Sequence, residues 1–239
     1  MTSDQRTPAL LRLLLVLAVG LGLAQAAAAQ PATGTEWRLD DFDKTLPPNE
    51  VYGKWEGRKF SPTFGSGDRY FFQFSHTAQE HALVLKSGSN NSFSVGLQAA
   101  FKVQNWPVLE WEWNIVQLPT GGDVRVKEKD DQAGSVCIVV NPGLTGWFSL
   151  CYLFENDGPK DTPITSAKNE NARYLILRTA KAGDKTGQWM KEKRNVLEDY
   201  KRVFGKAPEH DAIFAVMIDS DNTKSTAEAR YRNIILRKS

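Results

Sequence analysis

The sequence predicts an all-β domain, a β-sandwich or jelly roll that carries one short α-helix. Short apolar segments follow one another between turn residues, one of them alternates strictly between apolar and polar side chains, and only one segment has helical spacing. Strands that succeed each other without helices between them are typical of sandwiches and exclude the repeated β-α-β order of a parallel sheet. The roughly 210 residues after residue 29 fit a single domain of this class.

The first half of the domain is predicted to consist of short strands separated by loops. Residues 36–39 open it, and residues 47–67, rich in proline and glycine, are interpreted as a loop around a short aromatic segment. Residues 70–75 and 82–87 form a predicted strand pair, and residues 92–103 supply another extended stretch.

Residues 109–115 carry the strongest strand pattern in the chain. Every second side chain is apolar, so that one face of the strand holds Leu109, Trp111, Trp113 and Ile115. The opposite face holds Glu110, Glu112 and Asn114. We therefore expect the tryptophan face to lie in the core.

Residues 135–140 and 147–154 are two apolar strands on either side of a turn-rich loop. If they form a hairpin that is symmetric about Leu144, Cys137 and Cys151 lie opposite each other. The two residues are then either a disulfide, which an oxidising compartment would allow, or a pair of buried thiols.

The second half continues with four predicted strands around one helix, at residues 171–179, 187–194, 212–218 and 230–236. Asn195 and Glu198 have the spacing of a capping box, and Gly205 marks the end of the helix. We expect about nine to twelve strands in all.

Residues 1–29 are interpreted as a secretory signal peptide. A short basic start is followed by an almost wholly apolar stretch from Leu10 to Leu23 and by small residues that end at Ala29. The stretch is shorter than the roughly 20 apolar residues of a membrane span, and an uncleaved anchor is the alternative. Cleavage leaves residues 30–239 as one domain without a further span, in the periplasm or secreted.

The formal charge excludes nucleic acid as a main partner. It is +2 for the whole chain and +1 without residues 1–29, and the two signs are interspersed. The three histidines are scattered and neither cysteine has one nearby, so no zinc site is expected. No nucleophile-elbow, phosphate-loop or thiol-redox motif occurs in the sequence.

Two pairs of carboxylates are candidate catalytic groups. Glu110 and Glu112 point the same way, about 6–7 Å apart along a strand, a separation that acid–base glycoside hydrolysis uses. Asp130 and Asp131 form the other pair, at the end of a charged loop. For the glutamates, the alternative is a solvated polar face opposite the core.

Two polar loops are candidates for ligand and metal binding. Asp123 and Arg125 belong to the charged loop, and loops on a rigid sandwich carry many binding sites. In the second loop, Asp219, Asp221 and Asn222 present the oxygen ligands that Ca²⁺ prefers, although a plain Asx turn has the same composition. Calcium is the one cofactor that the sequence suggests.

Arg173, Trp189 and Arg194 complete the ligand-binding candidates. A flat indole ring can stack on a sugar ring, and arginines form bidentate pairs with carboxylates. The alternative for the charged residues is a salt-bridge network that holds the sandwich together.

Several motifs occur in a specific order, and the segments concerned are residues 109–113, Gly121, Asp123, Asp130, Asp131, residues 171–173, 187–189, 194–205 and 219–223. In this order they resemble the bacterial family called domain of unknown function 3047. The resemblance implies an exported protein of one domain and supplies no reaction. The closing segment, residues 231–236, is similar to the last strand of galactose-binding-like carbohydrate modules. We therefore expect a galactose-binding-like or concanavalin-like sandwich.

Together these observations predict an exported sandwich that binds a polysaccharide or another glycan. One alternative is a polysaccharide hydrolase or lyase that uses the paired carboxylates, and another is a protein-interaction module of the cell envelope. The residues leave open whether the protein is an enzyme.

Overall fold

The computed structural model describes residues 34–50, 52–53, 55–59, 70–88, 92–97, 100–140 and 146–239. The predicted signal peptide lies outside these residues. The strands are β1 (Glu36–Arg38), β2 (Trp55–Lys59), β3 (Tyr70–His76), β4 (His81–Ser87), β5 (Ser92–Leu97), β6 (Val108–Gln117), β7 (Gly134–Val140), β8 (Phe148–Glu155), β9 (Ile164–Thr165), β10 (Ala172–Thr179), β11 (Met190–Asn195), β12 (Ala212–Asp219) and β13 (Ala227–Arg237). The α-helix is α1 (Val196–Phe204).

The strands form two sheets that pack face to face, which confirms the predicted β-sandwich. Sheet A has the order β11-β6-β13-β4-β3, with β1 paired to the end of β13. Sheet B has the order β2-β5-β12-β7-β8-β10-β9. Neighbouring strands are antiparallel except β8 and β10, which are parallel. Among the described residues, no helix is both long and apolar enough to cross a membrane.

The core lies between the two sheets. The apolar face of β6 is fully buried, as its alternation predicted, at Leu109, Trp111, Trp113 and Ile115. Trp111 packs against Tyr152 of sheet B with 5.3 Å between ring centroids, and Trp113 packs against Phe154 at 6.2 Å. These contacts join the two sheets at their centres.

The outer face of sheet B carries a second apolar cluster. Leu153 of β8 and Ile176 of β10 belong to it. Val124, from the β6–β7 connection, and Ile164, from β9, pack against these strands. Loops therefore cover part of this face, and they bring polar side chains of distant segments together over the sheet.

The two cysteines occupy this outer face. Cys137 of β7 and Cys151 of β8 are in register, and the structure joins them by a disulfide with 4.1 Å between their Cα atoms. The bond joins two positions that are 14 apart in the sequence. A cross-link of this span restricts the unfolded chain.

Removal of the disulfide is expected to lower the free energy of unfolding by about 3 kcal/mol, because the unfolded chain regains the entropy of the open loop. The test is urea unfolding of the double variant Cys137→Ala/Cys151→Ala, followed by far-ultraviolet circular dichroism. The oxidised wild type is the control, and equal midpoints for the two proteins would contradict the expectation.

The structure differs from the sequence-based expectation at three places. Strand β2 lies within the segment that was predicted to be a loop, and it pairs with β5. Strand β9, which is only two residues long and pairs with β10, was not predicted. Residues 186–188 form a turn and Trp189 is irregular, so that β11 begins at Met190; Gly187 has a φ of 76° in the turn. The helix follows its prediction, since the Asn195 side chain accepts a hydrogen bond from the Glu198 amide at 3.1 Å.

Candidate functional site

The first carboxylate pair, Glu110 and Glu112, lies on the outer face of sheet A within ion pairs. Strands β11 and β13 flank β6 and place cations opposite both residues. Glu110 is 7% exposed and faces Lys193 at 3.2 Å and Arg237 at 3.1 Å. Burial raises the pKa of Glu110, but the hydrogen bonds from Lys193 and Arg237 outweigh it and hold the pKa below its usual range. A carboxyl group that stays ionised in this way is poorly suited to act as an acid.

Glu112 is held by the same sheet. Arg232 donates from Nε to Glu112 at 2.7 Å, and the Asn233 side-chain amide donates to it at 3.0 Å. The Arg232 guanidinium also lies 3.9 Å from the ring centroid of Trp189, which is half-buried. One face of this indole is therefore occupied by an arginine and not open to a sugar.

The predicted ligand-binding residues Asp123 and Arg125 pair with each other. Arg125 donates to the Asp123 carboxylate from Nε at 2.8 Å and from a terminal nitrogen at 2.7 Å. The hydrogen bonds from Arg125 lower the pKa of Asp123. Gly122 lets this loop close, since a Cβ there would lie 2.6 Å from the carbonyl oxygen of Asp131.

Arg173 and Arg194 each contact a side chain of helix α1. The Arg194 guanidinium donates to Asp199 of the helix from Nε at 2.8 Å and from a terminal nitrogen at 2.7 Å. Arg173 donates to the carbonyl oxygen of Glu170 at 2.5 Å, and its guanidinium lies 5.2 Å from the centroid of the Phe204 ring. Arg194 is thus ion-paired with the helix, whereas Arg173 lies against an aromatic ring.

The second carboxylate pair belongs to a larger acidic cluster at one end of sheet B. Asp131 accepts hydrogen bonds from the amides of Asn222 and Thr223, at 3.1 and 2.6 Å, and from the Thr223 hydroxyl at 2.6 Å. The Asp219 amide donates to the carbonyl oxygen of Gln132 at 2.8 Å. These bonds fasten the β12–β13 loop to the β6–β7 connection, which are far apart in sequence.

This arrangement collects five carboxylates, which we call the acidic cluster: Asp130, Asp131, Glu155, Asp219 and Asp221. Lys168 enters it from the segment before β10, and its Nζ lies 3.6 Å from Oδ2 of Asp130 and 2.5 Å from the side-chain oxygen of Asn222. The amide oxygen predicted to bind calcium is therefore engaged by a lysine.

Burial dominates the electrostatics of the acidic cluster. It raises the pKa of Asp130 to about 6, although Lys168 opposes the shift. Burial and then the charge of Asp221 raise the pKa of Asp219 well above its ordinary value. Burial also raises the pKa of Tyr174, with the charge of Asp130 as the next cause. Three of the predicted residues, Asp131, Asp219 and Asp221, each place one oxygen within 4.8 Å of the others.

At the opposite end of sheet B, an aromatic pocket of about 290 Å³ opens between the strand ends and helix α1. Its walls are Val140, Phe148, Tyr200 and Phe204, and its rim consists of Lys206, Ala207, Glu209 and His210. The Tyr200 and Phe204 rings lie 4.5 Å apart between centroids, and Phe148 meets Phe204 edge-on at 5.7 Å. On the rim, Lys206 and Glu209 form an ion pair at 3.0 Å.

No sequence pattern indicated the pocket, the place of Glu155 in the acidic cluster, or Lys168 beside the cluster. Tyr200 and Phe204 are four residues apart in helix α1, and that spacing puts them on one helix face. The signal for Glu155 was a single carboxylate at the end of an apolar strand, on the face of sheet B that Leu153 shares.

Residues 54–235 match the sequence family described as "Protein of unknown function (DUF3047)". No curated protein matches the chain in sequence.

Solved structures of similar shape include a family 11 carbohydrate-binding module of the cellulosomal cellulase Lic26A-Cel5E of Clostridium thermocellum, with 9% sequence identity and a TM-score of 0.42 over 87% of this chain and 97% of that one. A Cel12A cellulase variant derived from Rhodothermus marinus has 11% identity and a TM-score of 0.44 over 80% and 99%. A family 29 carbohydrate-binding module from Piromyces equi has 10% identity and a TM-score of 0.37 over 82% and 87%. At these scores the similarity says nothing about ligands.

Proposed function

The chain belongs to the DUF3047 family, and from the geometry of its sandwich we propose that it binds a carbohydrate in the aromatic pocket beside helix α1. The observation that carries the proposal is the combination of three aromatic rings, Phe148, Tyr200 and Phe204, with a polar rim. We also propose, as residues 1–29 predict, that the protein is exported.

The chemistry of the pocket matches that of a sugar. A pyranose ring has an apolar face of C–H groups, which packs on flat aromatic rings that lose little conformational freedom on binding. Its hydroxyl groups require donors and acceptors at the edge of such a surface, and Lys206, Glu209 and His210 supply both kinds. The volume of about 290 Å³ is at the lower end of the range for small-molecule pockets and suits a short stretch of glycan.

The test is affinity electrophoresis of the purified protein through gels that contain a panel of polysaccharides. We expect one class of polymer to retard the wild type and the Phe204→Leu variant to bind it about 3–10-fold more weakly, since leucine keeps an apolar side chain at this position but removes the ring face. Thermal melting of the variant checks that the fold is intact.

Trp189→Ala is the matched aromatic control, because this indole lies on sheet A beneath Arg232. If the gel retards Trp189→Ala as much as the wild type, the result supports glycan binding in the pocket on sheet B. If Trp189→Ala loses binding while Phe204→Leu keeps it, the glycan binds on sheet A. Free migration of the wild type in every gel would reject glycan binding and favour a protein-interaction module, and products released from a retarding polymer would indicate a hydrolase or lyase.

A further inference from the structure

The acidic cluster holds more negative charge than the nearby cations neutralise. In the described part of the chain, Lys168 is the one cation that forms an ion pair with any of its five carboxylates, and it contacts Asp130. Buried or half-buried charges of one sign are unfavourable unless a counter-charge accompanies them. Protonation of some of these carboxylates, or a further cation besides Lys168, would relieve the repulsion.

Three of the carboxylates have the spacing of a cation site. The oxygens of Asp131, Asp219 and Asp221 lie within 4.8 Å of one another. Two oxygens bound to one calcium ion are at most about 5 Å apart, because each Ca–O bond is roughly 2.3–2.6 Å long. The three side chains thus already have the oxygen spacing that one calcium ion requires.

These carboxylates retain free acceptor capacity. Oδ1 of Asp131 accepts one hydrogen bond, from the Asn222 amide, and Oδ1 of Asp219 accepts one, from the Asp221 amide at 3.2 Å. Among the described residues, the hydrogen bonds include none to Oδ2 of Asp219 or to the Asp221 carboxylate. Backbone hydrogen bonds hold the β12–β13 loop in place, and the remaining lone pairs of the carboxylate oxygens are available to an ion.

Glu155 supplies an independent observation. Its side chain is 1% exposed, and neither carboxylate oxygen has a hydrogen-bond partner among the described residues. Burial raises the pKa of Glu155 well above its ordinary value, and the charges of Asp130, Asp123 and Asp131 raise it further, while Arg125 opposes them. A buried carboxylate without a partner calls for an explanation, and a nearby cation provides one.

We propose that Asp131, Asp219 and Asp221 bind a calcium ion that links the β12–β13 loop to the β6–β7 connection, with the buried Glu155 carboxyl group as a further member of the cluster. The donors are all oxygens, which favours a hard cation over zinc or copper. The site corrects the sequence-based ligand set, because Asp131 replaces Asn222. It is independent of the proposed glycan site, since β7 separates the two ends of sheet B by about 20 Å.

The test is calcium titration of protein that has been treated with EDTA and then dialysed free of it. Calorimetry is expected to show one ion bound per chain. The melting temperature should rise by about 5–10 °C when calcium is at 100 times its dissociation constant. Magnesium at the same concentration should have a smaller effect, and an equal or larger effect of magnesium would overturn the assignment to calcium.

Asp221→Asn is the decisive variant, because the side chain is half-buried and removes a ligand with little change in volume. It should abolish the calcium-dependent rise yet melt no lower than the wild type in EDTA, since it also removes a repulsive charge. Asp161→Asn makes the same chemical change on an exposed carboxylate beside helix α1 and should keep the full rise. No rise in the wild type, or the same rise in Asp221→Asn, would overturn the proposal.

Discussion

Replacement of Trp111 by alanine is expected to lower the free energy of unfolding by about 3–5 kcal/mol, the usual cost of truncating a large buried aromatic side chain. Trp111 is 0% exposed and lies between the sheets. Its ring contacts Trp113 edge-on at 5.6 Å and Tyr152 of sheet B at 5.3 Å. The alanine variant therefore leaves a cavity that the neighbouring rings cannot fill without moving both sheets.

Trp111→Phe separates the loss of packing from the loss of the indole N–H. The indole nitrogen of Trp111 is buried without a hydrogen-bond partner among the described residues, so phenylalanine removes an unpaired donor while it keeps a ring. We expect this variant to lose less than half as much stability as Trp111→Ala in urea unfolding. Val116→Ala, on the same strand at a position that is 36% exposed, should change stability by no more than about 0.5 kcal/mol. Equal losses for Trp111→Ala and Val116→Ala would contradict this account of the core.

The strand prediction around Trp111 was confirmed, and it shows which structural information a local sequence pattern carries. Period-2 alternation reports which side chains share a face, and the structure buries every apolar member of residues 109–115. It does not report what lies on the neighbouring strands. Glu110 was therefore open to a catalytic or a solvated interpretation, whereas Lys193 and Arg237 from β11 and β13 make it part of an ion-pair network.

The same limit explains the strands that were missed. Pairing of β2 with β5 and of β9 with β10 depends on partners that are distant or very short, and proline and glycine nearby concealed β2. The parallel pairing of β8 with β10 likewise has no sequence signature, because a crossover connection rather than a tight turn joins the two strands.

The acidic cluster was predicted in separate pieces. Asp130 and Asp131 formed one candidate pair, and Asp219, Asp221 and Asn222 formed a candidate metal loop. Their union depends on hydrogen bonds between the two loops, which spacing along the chain cannot show. Glu155 was visible only as a single carboxylate at the end of an apolar strand, because its significance comes from burial and from the absence of a hydrogen-bond partner among the described residues.

Replacement of Asp199 by alanine is the second change expected to cost about 3–5 kcal/mol, because it leaves buried polar groups without their partner. Asp199 lies in the first turn of α1, where the helix dipole favours negative charge. Its carboxylate accepts a hydrogen bond from the buried Tyr152 hydroxyl at 2.9 Å, two from Arg194, and one from Arg202 at 3.0 Å. Burial, and then the charge of Asp199, raise the pKa of Tyr152 well above 10, so the hydroxyl keeps the proton that it donates.

A double-mutant cycle with Tyr152→Phe tests whether the buried hydroxyl carries part of this cost. If it does, Asp199→Ala should destabilise the Tyr152→Phe protein by at least about 1 kcal/mol less than the wild type, since no donor is then stranded in the core. Asp161→Asn is the control, because Asp161 binds Arg194 and Arg202 at 2.9 Å each but is 52% exposed, and exposed ion pairs contribute about 1 kcal/mol or less. Urea unfolding of the five proteins gives both comparisons. If Asp199→Ala costs no more than Asp161→Asn, the network is held by its surface pairs, and helix α1 does not depend on the buried carboxylate for its place beside sheet B.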